Sequence, residues 1–406
     1  MKHGLKNSVF WMFAGSGTYA LMQWFQLAII SKSCSAYTLG SFTLALAIAA
    51  PVFLFFGLQL RNVQVTDSRN EYTFSHYFGL RLCTMIAAFA TVCLIGLIGR
   101  VDMGILTAVA ALKGVEGMAE IFNGQQQKLE RMEFLALSLS LKGVAATIAI
   151  PVGVYCFDSL AVGLALAVAL NLVVLFFNDY LNCYRLFGRK RFISLRGLNY
   201  KSLFVKSLPL GFVMLIISLN GNIPKYFSEL LLGTEQQGIY SAIAYCLVVG
   251  NFVSNAVGQS FSPRLSRYYA DGERIRFIRL SQLFVGGNAL VGLALFLFTL
   301  VWGEWFLRLA FSPAIAAYSR LFSLIMLGGI FANMANALGY SLTAMRVFRI
   351  QPFINGIELV VNLIGCYLLI RYYGLSGAGL AAVITPCFRL AILFLVIRNR
   401  LNRRCG

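Results

Sequence analysis

Long apolar runs recur along the whole chain and are separated by short polar segments. A helix needs about 20 mainly apolar residues to cross the hydrocarbon core of a bilayer, and each run reaches that length. The pattern therefore predicts an all-α integral membrane protein with about twelve transmembrane helices. The predicted spans are 9–30, 37–60, 77–99, 103–124, 134–156, 160–179, 207–232, 238–260, 281–301, 318–343, 352–371 and 376–397.

The composition agrees with this pattern. Hydrophobic residues make up 59% of the 406 residues and charged residues only 12%, about half the ~25% of an ordinary soluble domain. A soluble fold cannot bury so much apolar side chain, and a disordered chain is excluded for the same reason. The nine cysteines include no C-x-x-C pair and the two histidines lie far apart, so no disulfide framework, metal centre or cofactor is predicted.

Basic residues are distributed unevenly between the two sides that these spans define. The chain has 34 Lys and Arg against 15 Asp and Glu, a net charge of +19. With a cytoplasmic N-terminus, roughly 25 basic residues fall on the inner side and roughly five on the outer side, the bias that orients membrane proteins. Both termini are therefore predicted to be cytoplasmic. Because topology accounts for the positive charge, no nucleic-acid partner is predicted.

The longest polar segment follows the sixth span and is rich in basic residues. It predicts an N-terminal six-helix bundle at 1–180, a basic cytoplasmic linker at 181–206 and a C-terminal six-helix bundle at 207–406. Six spans in each half keep both halves in the same orientation. The two bundles are therefore expected to be related by a pseudo-two-fold axis along the membrane normal.

Span four carries three charged residues on one face. Lys113, Glu116 and Glu120 fall within about 60° of one another on a helix of 3.6 residues per turn. A charge at the centre of a membrane helix costs about 2.5–3.5 kcal/mol on insertion scales, so this stripe is predicted to face the bundle interior. Span seven is predicted to unwind or kink near Pro224. Further charged residues within spans include Lys142, Lys225, Glu229, Glu358 and Arg389.

These intramembrane charges have two interpretations. In one they line a hydrated lumen that handles a charged solute, and basic residues at the inner ends of spans form a cationic rim. The rim residues are Arg61, Arg81, Arg264 and Arg267. In the other interpretation the charges are structural pairs. Those pairs would be Lys113 with Glu116, Lys225 with Glu229, and Glu358 with Arg389.

Sequence motifs of several enzyme classes are absent. The chain has no G-x-x-x-x-G-K-[ST] phosphate loop, no H-E-x-x-H zinc motif and no G-x-S-x-G nucleophile motif. An ATPase engine, a zinc hydrolase and a serine hydrolase are therefore not expected in this chain. The charged residues within spans suit a lumen that handles a charged solute, and the chain is predicted to be a transporter and not an enzyme.

Three segments resemble one known family. They are Leu58–Asp67 after span two, Asn222–Tyr226 in span seven, and Gln259–Arg264 at the end of span eight. Together they resemble the Wzx-type flippases of O-antigen and capsule repeat units, in the multidrug/oligosaccharidyl-lipid/polysaccharide exporter superfamily. The resemblance extends over essentially the whole chain. Lys225 stands where the family pattern has arginine, which keeps the charge but loses the bidentate fork.

The resemblance implies a function. The expected substrate is an undecaprenyl-diphosphate-linked oligosaccharide that moves from the cytoplasmic to the periplasmic leaflet of a bacterial inner membrane by alternating access, with a polysaccharide polymerase and chain-length machinery as partners. Basic residues suit the diphosphate, and acidic residues in the membrane suit coupling to an ion gradient. The expected substrate-binding residues are Arg61, Arg81, Lys113, Lys142, Lys225, Arg264 and Arg389. The expected ion-coupling residues are Glu116, Glu120, Glu229 and Glu358.

Two alternatives remain open at this stage. A drug or metabolite antiporter of the same fold would carry more acids than cations in its lumen, because its substrates are usually cationic. The four cations and four acids within the spans, with a cationic rim, argue mildly against it. A polytopic polysaccharide polymerase or ligase would be expected to carry a large outer loop, whereas here the outer segments are short.

Overall fold

Helices account for all the regular secondary structure in the described residues. The computed structural model describes residues 5–67, 70–99, 101–187, 200–347 and 350–403. The N-terminal helices are α1 Leu5–Ser33, α2 Ala36–Gly57, α3 Leu60–Thr66, α4 Phe74–Gly99, α5 Met103–Lys128, α6 Met132–Phe157, α7 Leu160–Val174 and α8 Leu181–Leu186. The C-terminal helices are α9 Lys201–Leu232, α10 Thr234–Tyr245, α11 Leu247–Ala270, α12 Arg274–Ala310, α13 Pro313–Ala316, α14 Ser319–Ala344, α15 Gln351–Tyr373 and α16 Leu375–Arg403.

The all-α membrane fold is confirmed. Within the described residues, nine helices are long and apolar enough to cross a bilayer. The other three predicted spans are also helical, although they are not among these nine. They are α1, the charged helix α5, and span eight, which breaks at Cys246 into α10 and α11. The count of twelve spans stays a prediction.

Two local predictions need correction. Helix α9 continues through Pro224 to Leu232, so the predicted unwinding of span seven is wrong. Span six was expected to end at residue 179, but helical structure continues to Leu186. The extension passes through a π-helical segment, Leu175–Tyr180, that joins α7 to α8. Such wide turns occur mostly as short insertions in α-helices, often at functional sites.

The chain divides into two compact units, Met1–Ser218 and Leu219–Gly406. In the first unit, α1 packs on α6, α6 on α7, and α4 on α5. The α6–α7 contact is close because glycines face each other: a Cβ on Gly153 would overlap the backbone of Gly163. Small residues of this kind let membrane helices approach closely, where dispersion contacts supply the attraction.

In the second unit, α14 lies between α12 and α16 and packs on both. Gly292 of α12 meets Ile330, and Gly328 of α14 meets the backbone of Ala382 on α16. The apolar core of this unit is built on Phe277 and Phe284. Residues 188–199 of the predicted linker lie outside the described residues, so the division at 181–206 stays a prediction.

Serine and aspartate side chains begin three helices on one side of the first unit. Ser35 accepts a hydrogen bond from the Thr38 amide at the start of α2. Asp102 accepts from two amides at the start of α5, and Ser159 caps α7. Each such cap satisfies an amide that has no partner within its helix and contributes about 1 kcal/mol. The short connections set neighbouring helices antiparallel.

Candidate functional site

A cavity of about 470 Å³ lies among the helices α1 to α6 of the first unit, with Met214 of α9 also in its lining. Six of the eleven predicted site residues line it: Arg61, Arg81, Lys113, Glu116, Glu120 and Lys142. The sequence had placed these residues on four separate spans or span ends. The other five predicted residues belong to the second unit: Lys225, Glu229, Arg264, Glu358 and Arg389.

The predicted stripe on α5 faces the cavity. The Lys113 Nζ lies 2.7 Å from the Glu116 Oε2, and both side chains are about one-fifth exposed, at 22% and 23%. Tyr19 of α1 donates a hydrogen bond of 2.7 Å to the other Glu116 oxygen. Glu116 therefore connects α1 to α5 while it holds Lys113.

Arg81 of α4 is more deeply buried than a rim residue should be. Its side chain is 2% exposed, and its Nη2 lies 3.1 Å from the Glu120 Oε2. The Glu120 side chain is 48% exposed, so this pair is open to the cavity on the acidic side. The buried Nε of Arg81 has no hydrogen-bond partner among the described residues. One N–H donor of the Arg81 guanidinium thus lacks an acceptor among the described residues.

Arg61 of α3 is held by an uncharged partner. Its Nε and Nη2 donate hydrogen bonds of 3.2 and 2.9 Å to the Gln127 side-chain oxygen at the end of α5. This fork-like contact aims the guanidinium without neutralising it. The positive charge of Arg61 therefore remains available to an anion that enters the cavity.

Lys142 of α6 has a partner that the sequence analysis missed. Its Nζ lies 2.5 Å from the Asp179 Oδ2 and donates a 2.7 Å hydrogen bond to Ser138. Asp179 is fully buried, Lys142 is 3% exposed, and Asn178 donates to the second Asp179 oxygen at 3.0 Å. Asp179 was overlooked because it stands at the end of an apolar run, where a polar residue normally marks a loop.

The residues around the cavity give it a positive surplus. Four basic side chains line it against two acidic ones, and Asp179 lies behind Lys142. Anions are therefore favoured over cations, since charges in a low-dielectric cleft are weakly screened. This balance argues against the cation-exporting alternative more strongly than the equal count of charges in the sequence did.

The predicted residues of the second unit form smaller arrangements. The Lys225 Nζ donates to the Asn222 side chain at 3.0 Å, whereas Glu229 accepts from Thr234 at 2.8 Å. The predicted Lys225–Glu229 pair is therefore wrong. The predicted Glu358–Arg389 pair is present at 3.6 Å, and Arg264 is exposed. Structural pairing thus holds for Lys113 with Glu116 and for Glu358 with Arg389.

The Asp67 carboxylate forms hydrogen bonds in the connection between α3 and α4, the helices that carry Arg61 and Arg81. Asp67 accepts hydrogen bonds from the Glu71 and Tyr72 amides at 2.9 and 3.2 Å and from the Tyr77 hydroxyl at 3.0 Å. Burial raises the pKa of Asp67, but these three donors and the charge of Lys128 outweigh it and hold the pKa below its ordinary value.

The Asp67 contacts predict a loss of stability in acid. A depressed folded-state pKa means that the contribution is complete above the ordinary pKa of the unfolded chain and is lost as pH falls through the folded value. We expect the α3–α4 connection to loosen below about pH 4, as followed by hydrogen exchange of the Glu71 amide. The Asp67→Asn variant should exchange fast already at pH 7. Identical acid profiles for the two proteins would contradict this role.

The helical fold is that of a class of polytopic membrane transporters. Among solved structures, an inward-facing multidrug resistance MATE family transporter of the MOP superfamily matches with a TM-score of 0.77 at 11% identity, over 95% of both chains. The lipid II flippase MurJ in an inward closed conformation matches with a TM-score of 0.77 at 11% identity, over 95% of this chain and 87% of that one.

A sequence family narrows this class. The family model described as polysaccharide biosynthesis protein matches residues 5–269, so the chain belongs to that family. The capsular polysaccharide biosynthesis protein CapF of Staphylococcus aureus is 29% identical over 386 residues, covering 92% of this chain and 94% of that protein. The resemblance read from the sequence motifs is thereby confirmed.

Proposed function

We propose that this protein flips a lipid-linked oligosaccharide, a repeat unit of a surface polysaccharide, across the bacterial cytoplasmic membrane by alternating access. The observation that carries the proposal is the cavity with four basic and two acidic side chains among membrane helices. The sequence family and the likeness to a flippase fold support it. The capsular relative favours a capsule-type polymer over O-antigen.

The chemistry of such a substrate fits the cavity. A polyprenyl chain can remain in hydrocarbon, but a diphosphate and its sugars need polar surroundings to cross. Arg61 is aimed and not neutralised, so it is the first partner for the diphosphate. Arg81 lines the cavity beside Glu120, and phosphate oxygens accept from guanidinium groups in bidentate geometry. Lys113 and Lys142 follow deeper on α5 and α6. Lys225, Arg264 and Arg389 of the second unit are proposed as further substrate-binding residues.

Ion coupling forms part of the proposal. Glu116 and Glu120 each neutralise a basic residue of the cavity. A proton taken up by either carboxylate would release that basic residue for the diphosphate, so substrate binding and protonation would favour each other. Glu358, paired with Arg389, and Glu229 are proposed for the corresponding step in the second unit. A polysaccharide polymerase is the proposed recipient of the flipped unit.

Variants of the Lys113–Glu116 pair distinguish a role in transport from a purely structural role. We expect Lys113→Ala to abolish surface polymer in a flippase-deficient strain while the protein remains inserted. The Lys113→Ala/Glu116→Ala double variant removes the unpaired acid but should stay inactive, because the phosphate partner is still missing. Recovery of polymer in the double variant would assign the pair a structural role only. The exposed Arg308–Glu304 pair, changed in the same way, is the matched control.

Labelling of Cys34 tests the proposed orientation. Cys34 lies between α1 and α2, on the side predicted to be periplasmic. Burial and the neighbouring Asp158 carboxylate raise the pKa of this thiol, so labelling should accelerate as pH rises from 7 to 9. A membrane-impermeant maleimide should modify a Cys34-only variant in intact cells.

A second single-cysteine variant completes the topology test. Cys405 lies outside the described residues and is predicted to be cytoplasmic. A Cys405-only variant should react with the same maleimide only after lysis. The opposite pattern, with Cys405 labelled in intact cells and Cys34 protected, would reverse the orientation and with it the proposed direction of transport.

A further inference from the structure

The second unit contains a groove that the transport cavity does not involve. Helices α12 and α16 both pack on α14 and leave a channel of about 910 Å³ between them. Phe331, Met334 and Leu338 of α14 form its floor. Its walls are mainly apolar, with Val285 on α12 and Phe394 on α16. An apolar channel of this kind accepts a hydrocarbon chain without a desolvation cost.

Charge is confined to one end of the groove. Arg274 is the first residue of α12, and Arg398 lies in the last two turns of the antiparallel α16. These two arginines line the same end, and no acidic residue is among the described residues that line the groove. Two guanidinium groups at the mouth of an apolar channel complement a phosphate with a hydrocarbon tail.

The length of the groove matches one leaflet. From Arg274 to Gly286 the wall on α12 extends about 18 Å, and from Cys387 to Leu401 the wall on α16 extends about 21 Å, at 1.5 Å per residue. One leaflet contributes about half of the ~30 Å hydrocarbon core, so a chain of leaflet length fills the groove with its phosphate at the arginines. The polyprenyl chain of the proposed transport substrate is much longer and would extend past the far end.

We propose that this groove retains an anionic glycerophospholipid, with an acyl chain between α12 and α16 and its phosphate between Arg274 and Arg398. The site is independent of the proposed transport function. With the proposed orientation, the lipid belongs to the cytoplasmic leaflet, where basic pockets between helices commonly hold anionic headgroups. A retained lipid would join α12 to α16 across the groove.

Two glycines of α12 provide a matched test of the groove. Gly286 lines it and Gly287 does not, and both have open space where a Cβ would lie. Gly286→Trp should fill the groove and displace the acyl chain, whereas Gly287→Trp adds the same side chain outside it. Both variants keep every charge, so the topology signals are unchanged.

The experiment titrates the purified full-length protein with phosphatidylglycerol or phosphatidylcholine and counts bound lipid by native mass spectrometry. We expect Arg274→Gln/Arg398→Gln to bind phosphatidylglycerol about thirtyfold more weakly, since one basic residue near an anionic headgroup is worth about fivefold. Gly286→Trp should lose the bound lipid. Gly287→Trp and the distant Arg308→Gln should bind as the wild type does, and their elution as single species would verify folding.

Three results would overturn the proposal. Equal phosphatidylglycerol binding by the wild type, the double arginine variant and Gly286→Trp would remove the site. Equally tight binding of phosphatidylcholine, which has no net charge, would remove the role of the arginines. Displacement of the lipid by a polyprenyl phosphate at equal concentration would assign the groove to the transport substrate instead.

Discussion

Removal of Asp179 is expected to produce the largest loss of stability of any single substitution in the first unit. Lys142 would keep its charge in a position that is 3% exposed, with Ser138 as its remaining partner. Breaking a buried ion pair from one side costs about 3–5 kcal/mol, because an uncompensated charge stays behind. Asp179→Ala should therefore lower the free energy of unfolding by that amount, measured by thermal or detergent denaturation of the purified protein.

Replacing both Lys142 and Asp179 distinguishes the effect of this pair on stability from its effect on transport. A Lys142→Met/Asp179→Leu variant removes both buried charges at similar volume and should regain most of the stability. If Lys142 also contacts the substrate, this stable double variant will still fail to restore surface polymer. The matched control is the exposed Lys206–Glu71 pair at 2.8 Å, whose removal should change stability little. Equal stability of Asp179→Ala and wild type would contradict the buried-pair assignment.

Neutralising Arg81 is expected to slow substrate capture strongly. A charge-assisted hydrogen bond contributes about 1.5–3 kcal/mol, so Arg81→Gln should slow substrate capture about 10- to 100-fold. Lipid-linked repeat units should then accumulate on the cytoplasmic leaflet. Arg81→Lys should retain part of the rate, because the charge remains but the planar fork is lost. The Arg61→Gln/Arg81→Gln variant should be slower than either single variant.

Because Arg81 is buried and paired with Glu120, its substitution needs a control variant. Arg81→Gln leaves Glu120 without its partner, which alone would disturb the cavity. The Arg81→Gln/Glu120→Gln variant removes both charges, so that no unpaired carboxylate remains at this position. Loss of inner-side positive charge can also misorient a membrane protein, so Cys34 labelling must first match the wild type. Normal export by a correctly oriented Arg81→Gln/Glu120→Gln protein would exclude Arg81 from substrate capture.

The sequence predicted those parts of the site that lie on one helix. Lys113 and Glu116 are three residues apart, so helical periodicity alone brings their side chains to one face. The same periodicity gave the wrong partner for Lys225, because Asn222 and Glu229 are both within reach of that long side chain. The partner of Lys225 depended on Thr234 at the start of the next helix, whose hydroxyl donates a hydrogen bond to Glu229.

Helical periodicity did not predict the contacts of Arg81 and Lys142 with other helices, although the Glu358–Arg389 pair between α15 and α16 was predicted. Arg81 and Glu120 are 39 positions apart, and Lys142 and Asp179 are 37 positions apart. Each pair forms through the packing of two helices, which a single sequence does not specify. Arg81 was accordingly expected at an open rim, although helix packing buries it. The fold class was predictable because the length and hydrophobicity of each helix are properties of one segment.

The π-helical segment Leu175–Tyr180 makes the register of its helix as important as its composition. A wide turn holds one residue more than the α-helical turn that it replaces. Deleting one residue there would restore α-helical geometry with the phase of the following helix unchanged, because the wide turn already accommodates the extra residue. An α-helical segment of unchanged length would instead rotate all that follows by about 100° and turn Asp179 away from Lys142. Homologues that form a regular α-helix here and keep both the lysine and the aspartate should therefore lack one residue in this segment.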